Sequence, residues 1–588
     1  MKNKLNTFKF FISRIKSLTP KVFVYQGLFA VLRTIEILFV MYLPSILIIL
    51  LTGSFNLQQV ITYLMVGLTL LWIIRISNRI IIKENALLEN SFSQELIKDL
   101  SYRITTTQFS KVEDSEFVAK KEEAMFPIKT QNAIQNMFRS VPIVFQSVVI
   151  LASVLAILLV YEPILMVIAI VVAVSSFIVS QKMIRYEAEQ AKSNARKNSE
   201  YVYYLRTMRD SAIAKDVRIY RMQPYFAEKY KSLFTFIVQS TKKLYASREY
   251  RGLINQMLSV ILMIFIYGFL VYKVTTSSME ISIFVLLVNA TLSFNDQMNV
   301  FFSEILMLNQ QLIYLDSLKQ FYSMLSTNQS IGKEALNEPI HSVEFKNVTF
   351  RYPKTDANVL NNCSFKIDGT KNLSIVGRNG SGKTTIIKLL SRLYEPQEGE
   401  ILVNGKNIKY YEESSYLKQL SIIFQDFKTF KYSIRENIIF DSQTDEKQFS
   451  EAIEKSELSK ELCKFPSGVD TNLVRDIEDV KSVTLSKGQE QKLVIARSIY
   501  GKGSLLILDE PTASLDPIAE EEVYQHFQSI TKDKLAIFIS HRLSSCRFSD
   551  TIIYLEDGFV KELGSHQQLL RLNGKYASLF NLQASKYQ

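Results

Sequence analysis

The stretch Gly377-Arg378-Asn379-Gly380-Ser381-Gly382-Lys383-Thr384 decides the fold of the second half of this chain. A short apolar run, Leu373–Val376, leads into it, and a helix-forming run, Thr384–Leu390, follows. Strand, glycine-rich loop and helix in that order make a P-loop, whose backbone N–H groups point at phosphate oxygens. Lys383 is expected to reach the β- and γ-phosphates of ATP, and the Thr384 hydroxyl to ligate Mg²⁺; Thr385 extends the phosphate-binding set.

Further elements follow in a fixed order. Leu505–Leu508 reads as a buried strand ending in Asp509 and Glu510. Asp509 is expected to hold Mg²⁺ through water, and Glu510 to polarise an attacking water as general base. Two acids can simply end a strand. Here they continue into Pro511 and the loop Ala513-Ser514-Leu515-Asp516, which argues for the catalytic reading. A lone histidine is usually structural, yet His541 follows the apolar run Ala536–Ser540 and is expected to contact the γ-phosphate. Tyr352, after the strand-like Val343–Phe350, Gln425, and Leu485-Ser486-Lys487-Gly488-Gln489 complete the set.

The first half has a different composition. Apolar segments at about 22–51, 59–82, 141–161, 163–182, 252–273 and 280–303 each approach or exceed the ~20 residues a helix needs to cross hydrocarbon. Gly53–Gln59 and Tyr161-Glu162-Pro163 carry no Lys or Arg, and the third short loop has only Lys273, whereas the N-terminus and the long segments 83–140 and 183–251 are basic. That asymmetry predicts a multi-pass protein of the cell membrane with both termini and the ATPase in the cytosol. The same distribution accounts for the net charge of +12 without nucleic acid as a partner. The long loops have helical composition and extend the spans. Leu5, Phe8, Phe11 and Ile15 recur at helical spacing, either as an interfacial helix or as the start of the first span. Within the spans, Arg33 and Glu36 lie three apart and are spaced to pair; Arg75, Arg79, Asn289, Asn295 and Asp296 are read either as cavity-lining or as snorkelling and structural groups. Cys363, Cys463 and Cys546 have no metal-ligand spacing and read as reduced thiols. No cleavable signal is read at the start.

With both halves in view the chain resembles a fused ATP-binding cassette (ABC) exporter, membrane domain first, over essentially its whole length. The resemblance implies an α-helical six-span transmembrane domain with long cytosolic extensions, then an α/β P-loop ATPase domain with a helical subdomain. The boundaries are 1–21 for the N-terminal segment, 22–323 for the membrane domain, 324–342 for a polar linker and 343–588 for the nucleotide-binding domain. It implies that Tyr352 stacks on adenine, that Gln425 senses γ-phosphate and Mg²⁺, and that Ser486, Gly488 and Gln489 bind the γ-phosphate of ATP held by a second half-transporter chain, with Asp516 communicating between sites. A homodimer is preferred to a heterodimer. Short helices near Val112–Phe117 and Ile213–Arg221 are expected to dock on the cassettes. The chain departs from the family at Lys487, where the usual motif has glycine, and in Asp470–Val483, which lacks a common Glu-rich stretch. Asp470-Thr471-Asn472-Leu473, Ala214–Tyr220 and Asp516–Glu520 are similar to bacterial lanthipeptide and bacteriocin exporters. The implied activity is ATP-driven export of a peptide or amphipathic small molecule; the alternatives are a lipid or lipid-linked saccharide flippase, or an importer. No peptidase segment precedes the first span, so leader cleavage is not expected.

Overall fold

The computed structural model describes residues 2–53, 55–129, 132–210, 213–277, 279–325, 332–440, 444–473, 482–510, 534–540 and 549–584, with Thr531, Cys546 and Arg547 besides. The chain divides into two compact units, Met1–Thr106 with Ser115–Ser326, and Thr107–Asp114 with Thr327–Gln588.

The first unit is helical: α1 (Lys2–Leu18), α2 (Lys21–Thr52) and α3 (Leu57–Thr105), then α5 (Ser115–Lys129), α6 (Ala133–Tyr161), α7 (Pro163–Arg209), α8 (Ala214–Ile219), α9 (Gln223–Ser277) and α10 (Ile281–Met324), with α4 (Phe109–Val112) belonging to the second unit. Five of these helices, α2, α3, α6, α9 and α10, are long and apolar enough to cross a membrane; the apolar stretch Pro163–Val179 opening α7 is shorter. The boundaries follow local chemistry. Asn56 and Gln59 close a capping box at the start of α3. Pro163 starts α7, where its missing N–H has no helical partner to lose. Large apolar side chains such as Val24, Leu68, Trp72 and Ile264 point outward, the inverse of a water-soluble bundle. Inside, Ile150, Val154, Leu158, Leu270, Leu287 and Ala290 form a closed apolar core.

Three details refine the sequence reading. The α1 segment is a separate helix rather than the start of the first span: Thr7 Oγ1 donates to Asp316 (2.6 Å), Arg14 pairs with Asp99 (3.2 Å), and Phe11 is buried. Lys273 lies inside α9, not in a loop, and pairs with Glu162 at 3.1 Å. The helix expected near Val112–Phe117 is instead α4, because Ser115 already begins α5 and the turn at Glu113–Asp114 faces the second unit's own residues.

The second unit has two sheets. An antiparallel sheet of order β2-β1-β4-β5 contains β1 (Ser342–Phe350), β2 (Leu360–Asp368), β4 (Glu398–Val403) and β5 (Lys406–Asn407). The other, of order β10-β9-β3-β8-β7-β6, contains β3 (Asn372–Val376), β6 (Leu420–Ile423), β7 (Leu505–Asp509), β8 (Leu535–Ile539), β9 (Thr551–Glu556) and β10 (Phe559–Gly564). All neighbouring pairs in it are parallel except β9–β10. Every residue of β7 and β8 is buried, as expected for strands covered on both faces. Among the described residues the helices are α11 (Lys383–Leu390), α12 (Glu413–Lys418), α13 (Ile434–Ile438), α14 (Glu446–Lys455), α15 (Ser459–Leu462) and α16 (Lys487–Tyr500), with two more near the C-terminus. Ile434, Phe449, Leu458 and Leu493 give the α13–α16 region its own small core. From Gly332 onward the segment read as linker lies against this unit: Leu336 and Ile340 are in its core, and Glu334 pairs with Lys406.

Candidate nucleotide site

Parallel pairing assembles the site. Ile423 of β6 pairs with Leu508 of β7, and Asp509 with Ile539 of β8, while β3 lies on the far side of β8. The carboxyl ends of β3, β6 and β7 therefore open on one edge, where ligands of open α/β sheets bind. Each strand delivers its motif there: the glycine loop after Val376, Gln425 after Ile423, and Asp509–Glu510.

The loop Gly377–Gly382 has an exposed tip, Arg378, Asn379 and Gly380, on a buried base, Ser381, Gly382 and Lys383. Two glycines are sterically required. A Cβ on Gly377 would sit 2.1 Å from the Leu555 carbonyl oxygen, and one on Gly382, at φ +105°, would sit 2.7 Å from Leu360. The Lys383 ammonium donates to the carbonyls of Gly377 (3.0 Å) and Arg378 (2.9 Å). Burial lowers its pKa, opposed by the nearby charges of Glu510 and Asp509.

Asp509 is 1% exposed, and among the described residues neither carboxylate oxygen has a partner within full hydrogen-bond geometry. Burial pushes its pKa up to about 6. The nearby Thr384 hydroxyl and Lys383 pull it down, while Glu510 and Asp426 push it up. Ser381 Oγ is likewise buried without a partner among the described residues. Unpaired oxygens of these types are costly in a dry site, and a carboxylate beside a threonine hydroxyl suits the hard oxygen coordination of Mg²⁺. Glu510 takes a left-handed backbone (φ +50°), uncommon for glutamate, and its N–H donates to Ile539 (3.0 Å). Gln425 Nε2 donates to Glu510 Oε2 at 2.7 Å. Lys383, Thr384, Asp509, Glu510 and Gln425 thus converge on one site.

Tyr352 is half-buried; its hydroxyl lies 3.0 Å from Thr385 Oγ1, and its ring meets Phe350 and Tyr394 edge-on at 5.0 and 5.2 Å. The sequence reading missed the groups behind it. Lys388 Nζ lies over the rings of Tyr352 (5.4 Å), Tyr394 (5.6 Å) and Phe109 (5.9 Å). Glu113 accepts from the Tyr394 hydroxyl and stands 3.6 Å from Lys388. Burial and this carboxylate raise the Tyr394 pKa. Lys388 does leave a sequence signal: it lies three residues after Thr385, on the same helix face.

Ser486 and Gln489 are elsewhere in the unit. Ser486 caps α16, its Oγ accepting from the Gln489 N–H (3.3 Å), while Gln489 Oε1 accepts from the Ser486 N–H (2.9 Å). Gln489 Nε2 also donates to Glu461 (3.0 Å). Lys487 and Gly488 form the first turn, with Lys487 exposed. No described contact joins this turn to the P-loop. His541 and Asp516 lie outside the described residues.

The model of the ABC transporter family matches residues 360–513, from β2 through the P-loop, α16 and β7 to just past Asp509–Glu510. That stretch is an ABC transporter domain. It binds ATP. Along its whole length the chain has the fold of an ABC exporter, a helical membrane domain followed by the ABC domain: it superposes on the structure of a bacterial Atm1-family ABC exporter with ATP bound at a TM-score of 0.78, over 97% of this chain and 99% of that one, with 20% identity. The subtilin transport ATP-binding protein SpaT of Bacillus subtilis is 32% identical over 390 residues, 65% of this chain and 62% of that protein. The nisin transport ATP-binding protein NisT of Lactococcus lactis subsp. lactis is 28% identical over 424 residues, covering 70% and 69%. The ATP-dependent lipid A-core flippase of Escherichia coli K12 is 35% identical over 254 residues, 43% of each chain. The matched regions thus span less than two thirds of the subtilin transport protein, 69% of the nisin transport protein and under half of the flippase. The apolar helices make the chain a multi-pass membrane protein.

Proposed function

We propose that the chain is one half of a dimeric exporter that couples ATP hydrolysis in its ABC domain to movement of a peptide or amphipathic molecule out of the cytosol. The observation that carries this is the buried Asp509 carboxylate at the P-loop, without a partner among the described residues, beside the Gln425–Glu510 contact, on a chain whose other unit is apolar outside. The Gly377–Gly382 amides and Lys383 hold the ATP phosphates, and Tyr352 the adenine. Thr384, Asp509 and Gln425 hold Mg²⁺, which when bound neutralises phosphate charge. Glu510 accepts the proton of the attacking water, positioned by Gln425, with His541 at the γ-phosphate. Ser486, Gly488 and Gln489 present an α-helix N-terminus to the ATP of a second copy, where the dipole and free N–H groups suit an anion. Both termini and the ABC domain face the cytosol, as the lysine and arginine distribution implies.

The SpaT and NisT relatives support a peptide substrate, and their match runs beyond the ABC domain. A lipid substrate is the second reading, supported by the flippase relative over the shorter span. The test is Glu510→Gln in the full chain. It is expected to retain ATP binding and to lose steady-state hydrolysis by more than about 100-fold, the scale of a positioned general base. Hydrolysis near the wild-type rate would remove Glu510 from its role. Stimulation of hydrolysis by peptide rather than lipid separates the two substrates.

A further inference from the structure

The membrane unit holds a charge cluster that ATP chemistry does not use. On α2 and α3 both oxygens of the Glu36 carboxylate are occupied: Oε2 accepts from Arg33 (2.6 Å) and Asn78 Nδ2 (3.1 Å), and Oε1 accepts from Arg75 Nε (3.0 Å). The Glu36 side chain is 6% exposed, whereas those of Arg33 and Arg75 are 45% and 62% exposed. Two cations therefore share one anion, and Arg79, one turn beyond Arg75, is also exposed. Arg33 meets the carboxylate through a terminal nitrogen and Arg75 through Nε, so each contact engages one edge of a fork that carries five N–H donors.

Depth gives this surplus meaning. At 1.5 Å per residue, Glu36 lies about 24 Å below the end of α2 at Thr52, and Arg75 about 27 Å below the start of α3 at Leu57. Both stand near the boundary of a ~30 Å hydrocarbon layer opposite the α2–α3 turn. Guanidinium N–H groups at that depth need oxygen partners. A buried carboxylate that fixes two planar forks by one edge each pre-organises their remaining edges for carboxylate or phosphate geometry.

We propose that Arg33 and Arg75, clamped by Glu36, form a receptor for an anionic oxygen group, a carboxylate or a phosphate, at the membrane boundary. The group belongs to a lipid headgroup or to the anionic end of the exported molecule; the second source rests on the export reading.

The chain supplies its own reporter. Trp72 is the sole tryptophan in the sequence, is 65% exposed, and precedes Arg75 by three residues, so the two share a helix face. Trp72 fluorescence of the full chain in phosphatidylcholine nanodiscs is measured without ATP as brominated-chain phosphatidylglycerol or brominated-chain phosphatidylcholine is introduced. The anionic lipid is expected to quench at a mole fraction about tenfold lower, the effect of one charge-assisted hydrogen bond. Arg33→Gln/Arg75→Gln removes that preference, and Arg33→Lys/Arg75→Lys, which keeps the charge and loses the fork, retains part of it. In a second arm an amphipathic peptide with a free terminal carboxylate, or its amide, is added to the quenched discs. Relief by the carboxylate form alone assigns the site to cargo; relief by neither, with the lipid preference intact, assigns it to headgroups. Equal quenching by the two lipids in the wild type, with no effect of either peptide, overturns the proposal, as does a preference that persists in the glutamine double variant. An ATPase-inactive chain would defeat the export reading and leave this binding readout untouched.

Discussion

Asp509→Asn separates the cost of the nucleotide site from its use. The Asp509 carboxyl is almost wholly buried, and that burial pushes its pKa up from the ordinary aspartate range to about 6. A raised acid pKa means that the folded state binds the proton more tightly than the unfolded chain. Stability contributed by the protonated form is therefore present below about pH 4 and lost as pH rises through about 6. The full penalty at neutral pH is about 3 kcal/mol, at about 1.4 kcal/mol per unit, and roughly half of it develops above pH 5. Asparagine fills the same space and does not titrate. Without nucleotide, the ABC-domain melting transition of the full chain should be higher in the variant than in the wild type, and the gap should widen by about 1.5 kcal/mol between pH 5 and pH 7.5. For a domain of this size that is about 3–6 °C. The variant should also lose the extra stabilisation that Mg²⁺ adds to ATP. Calorimetry of both proteins at the two pH values decides it. A gap that is constant with pH, or one that narrows, would refute the argument that an ionised, unpaired Asp509 strains the folded state.

Other substitutions test other parts of the site. Gly377→Ala places a methyl against the Leu555 carbonyl and is expected to abolish ATP binding and lower the ABC-domain melting temperature, read by nucleotide titration and calorimetry. Tyr394→Phe removes the hydroxyl that Glu113 accepts from, and Lys388→Ala removes the cation between three rings. Each should raise the KM for ATP about three- to tenfold with kcat little changed, since the loss is of one modest contact that positions Tyr352; a pure kcat effect would contradict that role. Lys487→Gly, which restores the usual residue, should make ATPase activity less sensitive to salt in steady-state assays, because an exposed ammonium at the start of α16 adds screened attraction to phosphate.

Much of the ABC domain was legible because its chemistry is written in contiguous residues. A glycine loop must be continuous to wrap a phosphate, and Asp509 and Glu510 must follow a buried strand to emerge at its end. Five of the six expected spans correspond to helices long and apolar enough to cross a membrane, legible from length and polarity because hydrocarbon forces backbone groups to pair within each helix; the expected span at 163–182 corresponds to a shorter apolar stretch, Pro163–Val179. What the sequence did not show depends on distant pairing. Gln425 reaches Glu510 only because β6 and β7 align in parallel register. Glu113 meets Tyr394 across some 280 residues of sequence, and only the spacing of Lys388 from Thr385 hints at that cluster. Glu36 was read as a partner of Arg33, yet its second arginine and Asn78 arrive from α3. The short helix lies at Phe109–Val112, a few residues before the expected Val112–Phe117, because composition over 107–117 does not mark where one helical turn stops and the next begins.

The central claim, that this chain by itself forms an ATP-hydrolysing membrane assembly, is tested most directly by steady-state ATPase activity of the full chain purified into nanodiscs, with the protein mass of the same particles measured in parallel. Mg²⁺-dependent turnover is expected from particles that hold two copies, silenced by Glu510→Gln. Well-folded particles that bind ATP but do not hydrolyse it, or that hydrolyse it as single copies, would contradict the account.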